Sequence, residues 1–252
     1  SNMNANEVIA SVASEILGEI VHPNDDVNRS QSSNDVFPTA LRLATVSEVE
    51  GALLPALEHT RLVIEARAEE LSEVVKMGRT HLMDALPIRF DQELRTWGQQ
   101  IELRIQGLKD SLERLRELPI GATAIGTGIN APPGFGRNVV LRLSEQTGIR
   151  FTSAHNLFEG LASQDAAVEV SGQLNALAVT LMKISNDLRW MNSGPLAGIG
   201  EISLPALQPG SSIMPGKVNP VIPESVAMAC AQVMGMHHSV TIAGASGSFQ
   251  LN

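Results

Sequence analysis

The chain has 252 residues and is acidic, with 18 Lys and Arg against 27 Asp and Glu and a formal net charge of −9. That balance excludes a nucleic-acid binder, which needs clustered basic side chains; with no Tyr, six Phe and two Trp, base-stacking platforms are lacking too. At 43% hydrophobic and 18% charged residues, the composition fits a globular chain able to bury a large core. The one cysteine, Cys230, lies in the apolar run AMACAQV and reads as a small core residue. It permits no internal disulfide, which points to a reducing, cytoplasmic setting. No basic-then-apolar leader and no uncharged run of about 18 apolar residues is found, so neither secretion nor a membrane span is expected. The sequon Asn28-Arg29-Ser30 is accordingly read as chance.

In chain order, VHPNDDVNRSQSSNDVFP (21–38) comes first, with His22, Asn24, Asp25, Ser32, Ser33 and Asn34 close together. The plain reading is an N-cap run for the next helix, with Asn34 or Asp35 as the cap. One cap uses one residue, and the others need a ligand, a network or water. A long helix is predicted over 37–73, with Leu43, Val46, Leu53, Leu57, Ile64 and Leu71 on one seam and a kink at Pro55. His59, within it, reads as solvated or packed. GRTHLMDALP (78–87) follows as a polar inter-helix turn, where His81 beside Thr80 is a reasonable general acid or base.

The second helix is predicted over 89–117, with Leu94, Trp97, Ile101, Leu108, Leu112 and Leu115 at three- and four-residue steps. A polar stretch at 119–136 leads to a short helix at 137–148. The third long helix, 154–191, places Ala167, Val170, Leu174, Leu177, Leu181, Ile184 and Leu188 in unbroken 3-4 alternation. After a polar stretch at 192–220, a helix over 221–240 carries His237 and His238 near its end, again read as solvated or packed. Neither strand alternation nor an internal repeat is evident. The pattern is all-α, a long-helix bundle with its chemistry in the loops.

GSSIMPGKVNP (210–220) is the most unusual of those loops. Gly210 and Gly216 permit uncommon backbone angles, while Pro215 and Pro220 fix theirs. Between them stand Ser211, Ser212, Lys217 and Asn219, the hydroxyls, ammonium and amide that a carboxylate-binding loop needs. A P-loop is excluded, because five residues separate Gly210 from Gly216 where four are required, and Val218 follows the lysine. GTGINAPPGFG (126–136) is a glycine-rich turn and not a Rossmann fingerprint, since Pro132-Pro133 stands where a helix should continue. No His, Cys or carboxylate spacing suits a metal site, so none is expected.

Taken together, SNMNANEVIA, HPNDDVN, QSSNDVFPTA, GRTHLMDALP, GTGINAPPGFG and above all GSSIMPGKVNP resemble class II fumarate hydratases of the fumarase/aspartase superfamily. HPND, QSSND and PGK favour fumarase over aspartase within it. The resemblance implies a homotetramer with active sites shared between chains. It also implies residues 1–35 as the tail of an N-terminal domain with a substrate-binding loop, and 36–252 as the central helical-bundle domain. The family carries a Ser-Gly-Thr turn ahead of SNMN and further helix beyond GASGSFQLN, so the chain is expected to lack both ends.

By the same resemblance the substrate is a small dicarboxylate, fumarate or malate, and no cofactor is needed. Ser211 is the implied base for the C3 proton, His81 exchanges a proton with the leaving hydroxyl, and Glu224 orients the imidazole. Lys217, Val218, Asn219 and Ser212 meet one carboxylate, and Thr80, Ser32, Ser33 and Asn34 the other. His22, Asn24 and Asp25 match an accessory anion site, although Glu19 stands where some members have arginine. Two other readings are an aspartate ammonia-lyase and a non-catalytic structural member of the superfamily.

The geometric expectation follows from helix length. The SSND and GRTHLMD motifs flank a helix of about 37 residues, roughly 50 Å at 1.5 Å per residue. A four-carbon diacid cannot span that distance, so the two motifs must meet across antiparallel neighbouring chains.

Overall fold

The computed structural model describes residues 2–210 and 212–252, and its main elements are helices. α1 (Asn2–Leu17), α2 (Ser33–Glu48), α3 (Leu54–Glu70), α4 (Phe90–Leu115), α5 (Phe135–Thr147), α6 (Leu157–Ala162), α7 (Asp165–Met191) and α8 (Val221–Gly244) bear out the all-α expectation. The chain forms two compact units, one of residues 1–55, 109–170 and 241–252, the other of 56–108 and 171–240. α4 and α7 each contribute residues to both.

The α4 seam is buried as its spacing predicts, with Ile101, Leu108, Leu112 and Leu115 wholly inaccessible. α7 buries Val170, Leu177 and Ile184 from its expected seam and leaves Leu174, Leu181 and Leu188 half-buried. Cys230 is buried on α8, and burial pushes its thiol up from the usual value. Burial with no activating charge makes it a packing residue.

Four departures from the sequence expectation have local causes. First, α1 occupies a segment where no helix was expected, although Val8, Ile9, Val12 and Ile16 recur at helical spacing; these apolar residues are exposed, and only Asn6 and Ala10 are buried. Second, the segment 37–73 begins at Ser33 and passes through a π-helical turn at Val49–Leu53 immediately before Pro55. Pro55 has no N–H to give and its ring crowds the preceding turn, so the looser register absorbs it.

Third, the segment 154–191 is two helices. Ser163 is extended at φ −133° and ψ 140°, and its hydroxyl accepts the Asp165 N–H at 3.1 Å, so cap chemistry overrides the apolar period. Fourth, strands exist. β1 (Val75–Thr80) and β2 (Met83–Arg89) form an antiparallel hairpin, and β3 (Glu117–Leu118) pairs in parallel with β4 (Thr152–Ser153). The hairpin buries only Lys76 among its residues, so no apolar alternation marks it in the sequence.

The cap of α2 also differs from expectation. It is Ser32, whose hydroxyl accepts the Asn34 N–H at 3.2 Å, while Asp35 Oδ1 accepts the Ser32 N–H at 2.9 Å in a reciprocal capping box. Asp35 is fully buried, and its Oδ2 accepts the N–H groups of Gly121 and Thr123, each at 2.9 Å. Burial pushes this carboxyl above the usual range, against the opposing pull of the backbone donors. One helical stripe runs Asp35, Thr39, Arg42, Val46, Val49, all buried and at 4-3-4-3 spacing, so the seam starts with polar residues. Arg42, its charge disfavoured by burial, donates to the Glu117 carbonyl at 2.5 Å and so holds the start of β3.

Asp35→Ala is expected to destabilise the protein by at least about 3 kcal/mol, because three N–H donors lose their acceptor at roughly 1–3 kcal/mol each. Denaturant unfolding of the two proteins checks this.

Candidate functional site

The polar segment after α7 folds back on the end of that helix. The Glu201 and Ile202 N–H groups donate to the Met191 carbonyl at 2.8 and 3.2 Å, and Leu204 N–H to Asn192 Oδ1 at 2.9 Å. Farther on, the loop closes on itself, so that a Cβ on Gly210 would lie 2.3 Å from the Lys217 carbonyl oxygen. No other residue fits there. The Lys217 N–H returns to the Met214 carbonyl at 3.2 Å.

A cavity of about 1150 Å³ is lined by Asn186, Trp190, Glu201, Lys217, Asn219 and Glu224, with Val218 beside them. A smaller one of about 340 Å³, lined by Gln208, Gly210, Lys217 and Asn219, shares the lysine and the asparagine. Lys217, Val218 and Asn219 are exposed, and Glu224 is half-buried in the first turn of α8. Ser212 is exposed and does not line either cavity, and Ser211 lies outside the described residues.

Thr80 and His81 stand at the exposed tip of the hairpin. Thr80 pairs with Met83, and the two residues between them, His81 and Leu82, both have positive φ, at 54° and 61°. This is the geometry of a type I′ turn, which usually takes Asn-Gly; a histidine and a leucine there are strained. Such strain is characteristic of functional positions.

Below the tip the hairpin is held by charge. Arg79 forks onto Glu201, Nη1 and Nη2 donating to its two carboxylate oxygens at 3.1 and 3.3 Å. Buried Lys76 reaches the same carboxylate at 3.1 Å, pairs with Glu93 of α4 and lies 4.9 Å above the Phe90 ring. Burial pushes the Glu201 carboxyl up, but the hydrogen bonds and charges of Arg79 and Lys76 outweigh it and hold the group below the usual carboxylate range.

The other candidates belong to the first compact unit. His22 caps a π-helical turn at Pro23–Val27, its Nδ1 accepting the N–H groups of Asn24 and Asp25 at 3.3 and 3.2 Å. The Asp25 Oδ2 lies 3.5 Å from the same Nδ1, and both side chains are exposed. Asn28 ties this turn to α1 by accepting from Asn6 at 3.0 Å and Asn2 at 3.4 Å. Ser33 is exposed and accepts from Asn2 at 3.2 Å. Asn34 donates from Nδ2 to the Ala124 carbonyl at 2.7 Å, leaving its Oδ1 as the atom for another partner.

The structure thus gathers Lys217, Val218, Asn219 and Glu224 around one cavity. His81 and Thr80 do not line it, and among the described residues no hydrogen bond or ion pair joins His81 to Glu224. His237, read as solvated or packed, lies with Nδ1 at 3.0 Å from Ser171 Oγ. Sequence reasoning missed Asp35 as a tether and missed Lys76, Arg79 and Glu201 altogether. Glu201 sits 122 residues from Arg79 in an undistinguished GIGEI run, with no local signal. Among the described residues, no three His, Cys, Asp or Glu gather in a metal-holding group, and no helix is long and apolar enough to cross a membrane.

Residues 1–235 match the model of a family described as lyase. Over all 252 residues the chain is 65% identical to a protein of Xylella fastidiosa named fumarate hydratase class II, of which it covers 53%. It is 54% identical, over all of its length and 55% of the relative's, to fumarate hydratase class II 2 of Pseudomonas aeruginosa. The crystal structure of recombinant class II fumarase from Schistosoma mansoni superposes with a TM-score of 0.96 at 40% identity, over 99% of this chain and 57% of that one. The chain spans about half the length of the curated relatives it matches.

Because the folded-state pKa of Glu201 is depressed, its contribution to stability is complete above the unfolded carboxyl value of 4.5 and is lost as pH falls through the folded one. The melting-temperature gap between wild type and Glu201→Gln is therefore expected to be widest near neutral pH, unchanged down to 4.5, and to close only as pH falls through the depressed folded value. Thermal scans of both proteins across pH check it.

Proposed function

We propose that this chain, which belongs to the lyase family, carries the catalytic loops of a class II fumarate hydratase acting on fumarate and malate without a cofactor. The observation that carries the reading is the self-closed 210–220 loop, with Lys217 and Asn219 lining a polar cavity beside Glu224. The close likeness to proteins named fumarate hydratase supports it. The assignment of residues 1–35 to an N-terminal domain's tail and 36–252 to a central domain belongs to the same proposal, as does a cytoplasmic setting.

The chemistry follows from charge. Taking the proton beside a malate carboxylate puts two negative charges on that carboxyl, and catalysis must stabilise this aci-carboxylate more than the ground state. The Lys217 ammonium, the Asn219 amide, the Ser212 hydroxyl and the N–H groups of Ser212 and Val218 supply that stabilisation. Ser211 takes the C3 proton, its weak acidity offset by Lys217 and the loop amides. The C–O bond then breaks as His81 gives a proton to the departing hydroxyl, releasing water and leaving fumarate. Glu224 orients the imidazole, as the third member of a triad does. Thr80, Ser32, Ser33 and Asn34 hold the second carboxylate, and His22, Asn24 and Asp25 form an accessory anion site.

The working unit is a homotetramer whose sites are shared between chains. Helical segments run without a break from Ser33 to Glu70 between the SSND and GRTH motifs. His81 and Glu224 of one chain make no bond with each other, which favours partners from different chains. α8 is apolar on all sides, yet Ile222, Met228, Met236 and Ile242 are more than half exposed, the pattern of a helix buried by assembly.

Ser211→Ala in the full chain is expected to abolish the rise in fumarate absorbance on adding malate, with helical circular dichroism unchanged; a folded variant that keeps substantial turnover overturns the base assignment. Mixing His81→Asn with Ser211→Ala under subunit exchange is expected to restore activity, since some hybrid sites are then intact at both positions. Continued inactivity despite demonstrated exchange places both residues on one chain.

A further inference from the structure

We propose that Glu201 is a positioning residue that, through Arg79, fixes the direction of the His81-bearing hairpin tip. The inference rests on the hydratase reading for its kinetic consequence, and on geometry for the rest.

The hairpin cannot hold its own tip. Register breaks between Met77, which faces Pro87, and Arg79, which faces Asp84, so the ladder is interrupted in mid-hairpin. A Cβ on Gly78 would lie 2.8 Å from the Leu86 carbonyl, so the backbones approach too closely there for any side chain. Beyond the break only two residue pairs remain, Arg79 with Asp84 and Thr80 with Met83. The turn they close is strained at both central residues, and Leu82 and Met83 are 62% and 70% exposed, giving no apolar anchor. A two-pair ribbon in water is not self-supporting.

The restraint comes from the side. Arg79, directly before Thr80 and His81, is gripped by both oxygens of Glu201 and has its Nε 3.8 Å from Asp84 on the other strand. A planar fork fixes direction as well as distance, unlike a point charge. Glu201 is itself immobilised, its N–H on the Met191 carbonyl at 2.8 Å and its carboxylate on Lys76. Lys76 is buried and paired with Glu93 on α4. Glu201 is also among the residues lining the cavity that holds Lys217, Asn219 and Glu224. One side chain therefore registers the hairpin tip against the segment that runs on into the 210–220 loop.

The experiment compares the full chain with Glu201→Gln, which keeps shape and loses charge, Arg79→Lys, which keeps charge and loses the fork, and Glu201→Asp. Steady-state kinetics with malate and amide hydrogen exchange are read together. Both Glu201→Gln and Arg79→Lys are expected to lower kcat about 100-fold, the scale of a misplacement near 1 Å. KM is expected to stay within about threefold, because ground-state binding is not what is lost. Exchange is expected to accelerate at residues 79–84 by more than the uniform increase that lower global stability brings, and Glu201→Asp to recover part of kcat.

Unchanged exchange at 79–84 in both variants overturns the proposal, as does unchanged kcat in an active enzyme. Acceleration at 79–84 no greater than in the rest of the chain overturns it too, since it assigns Glu201 a general structural role. A wild-type chain without hydratase activity overturns the functional reading instead, and the exchange data then decide the positioning role alone.

Discussion

A carboxylate taken out of water must be matched by donors, and Asp35 is matched by the N–H of its own helix cap and by two N–H groups of one distant segment. That match closes the turn at Ser32 and anchors the glycine-rich stretch at Gly121 and Thr123. Asn34 extends the same junction through the Ala124 carbonyl, and Arg42 extends it along α2 to Glu117. The polar residues that cluster before α2 are therefore held by a helix whose first buried side chains are polar. A hydrophobic seam begins only at Val46.

The second unit solves a comparable problem with opposite chemistry. Its hairpin buries no apolar residue, and cations on β1 are drawn onto acidic partners contributed by α4 and by the segment after α7. Isolated surface ion pairs contribute little, but Lys76 is buried and Arg79 is forked. Removing one partner would leave a charge stranded in a poorly solvated place. Both units thus put their functional candidates on short exposed turns and fix those turns from beneath with buried charge. Rigid support below and free donors above is the arrangement that a charge-stabilising reaction requires.

Much of this was readable from the residues alone. The span and inward face of α4, much of the buried face of α7, and the approximate spans of α5 and α8 follow from periodicity, a local property that any packed helix must obey. The members of the 210–220 loop are equally legible, because the glycine–proline punctuation and the donor-rich composition lie in one short stretch. Within α2 the polar seam was missed, since Asp35, Thr39 and Arg42 look like surface residues until something opposite them supplies partners. α1 was missed although Val8, Ile9, Val12 and Ile16 share one helical face, a face this chain leaves exposed.

Local sequence, then, determined where helices form, where they stop and which side chains the loops carry, because caps, breakers and periodicity act over a few residues. Tertiary structure alone decided that Asp35 meets Gly121 and Thr123, 86 and 88 residues on, and that Arg79 meets Glu201, 122 residues on. It alone made GRTHLMDALP the tip of a hairpin. These pairings satisfy buried charge across long loops, and a charge seeking a distant partner leaves no period in the chain that carries it.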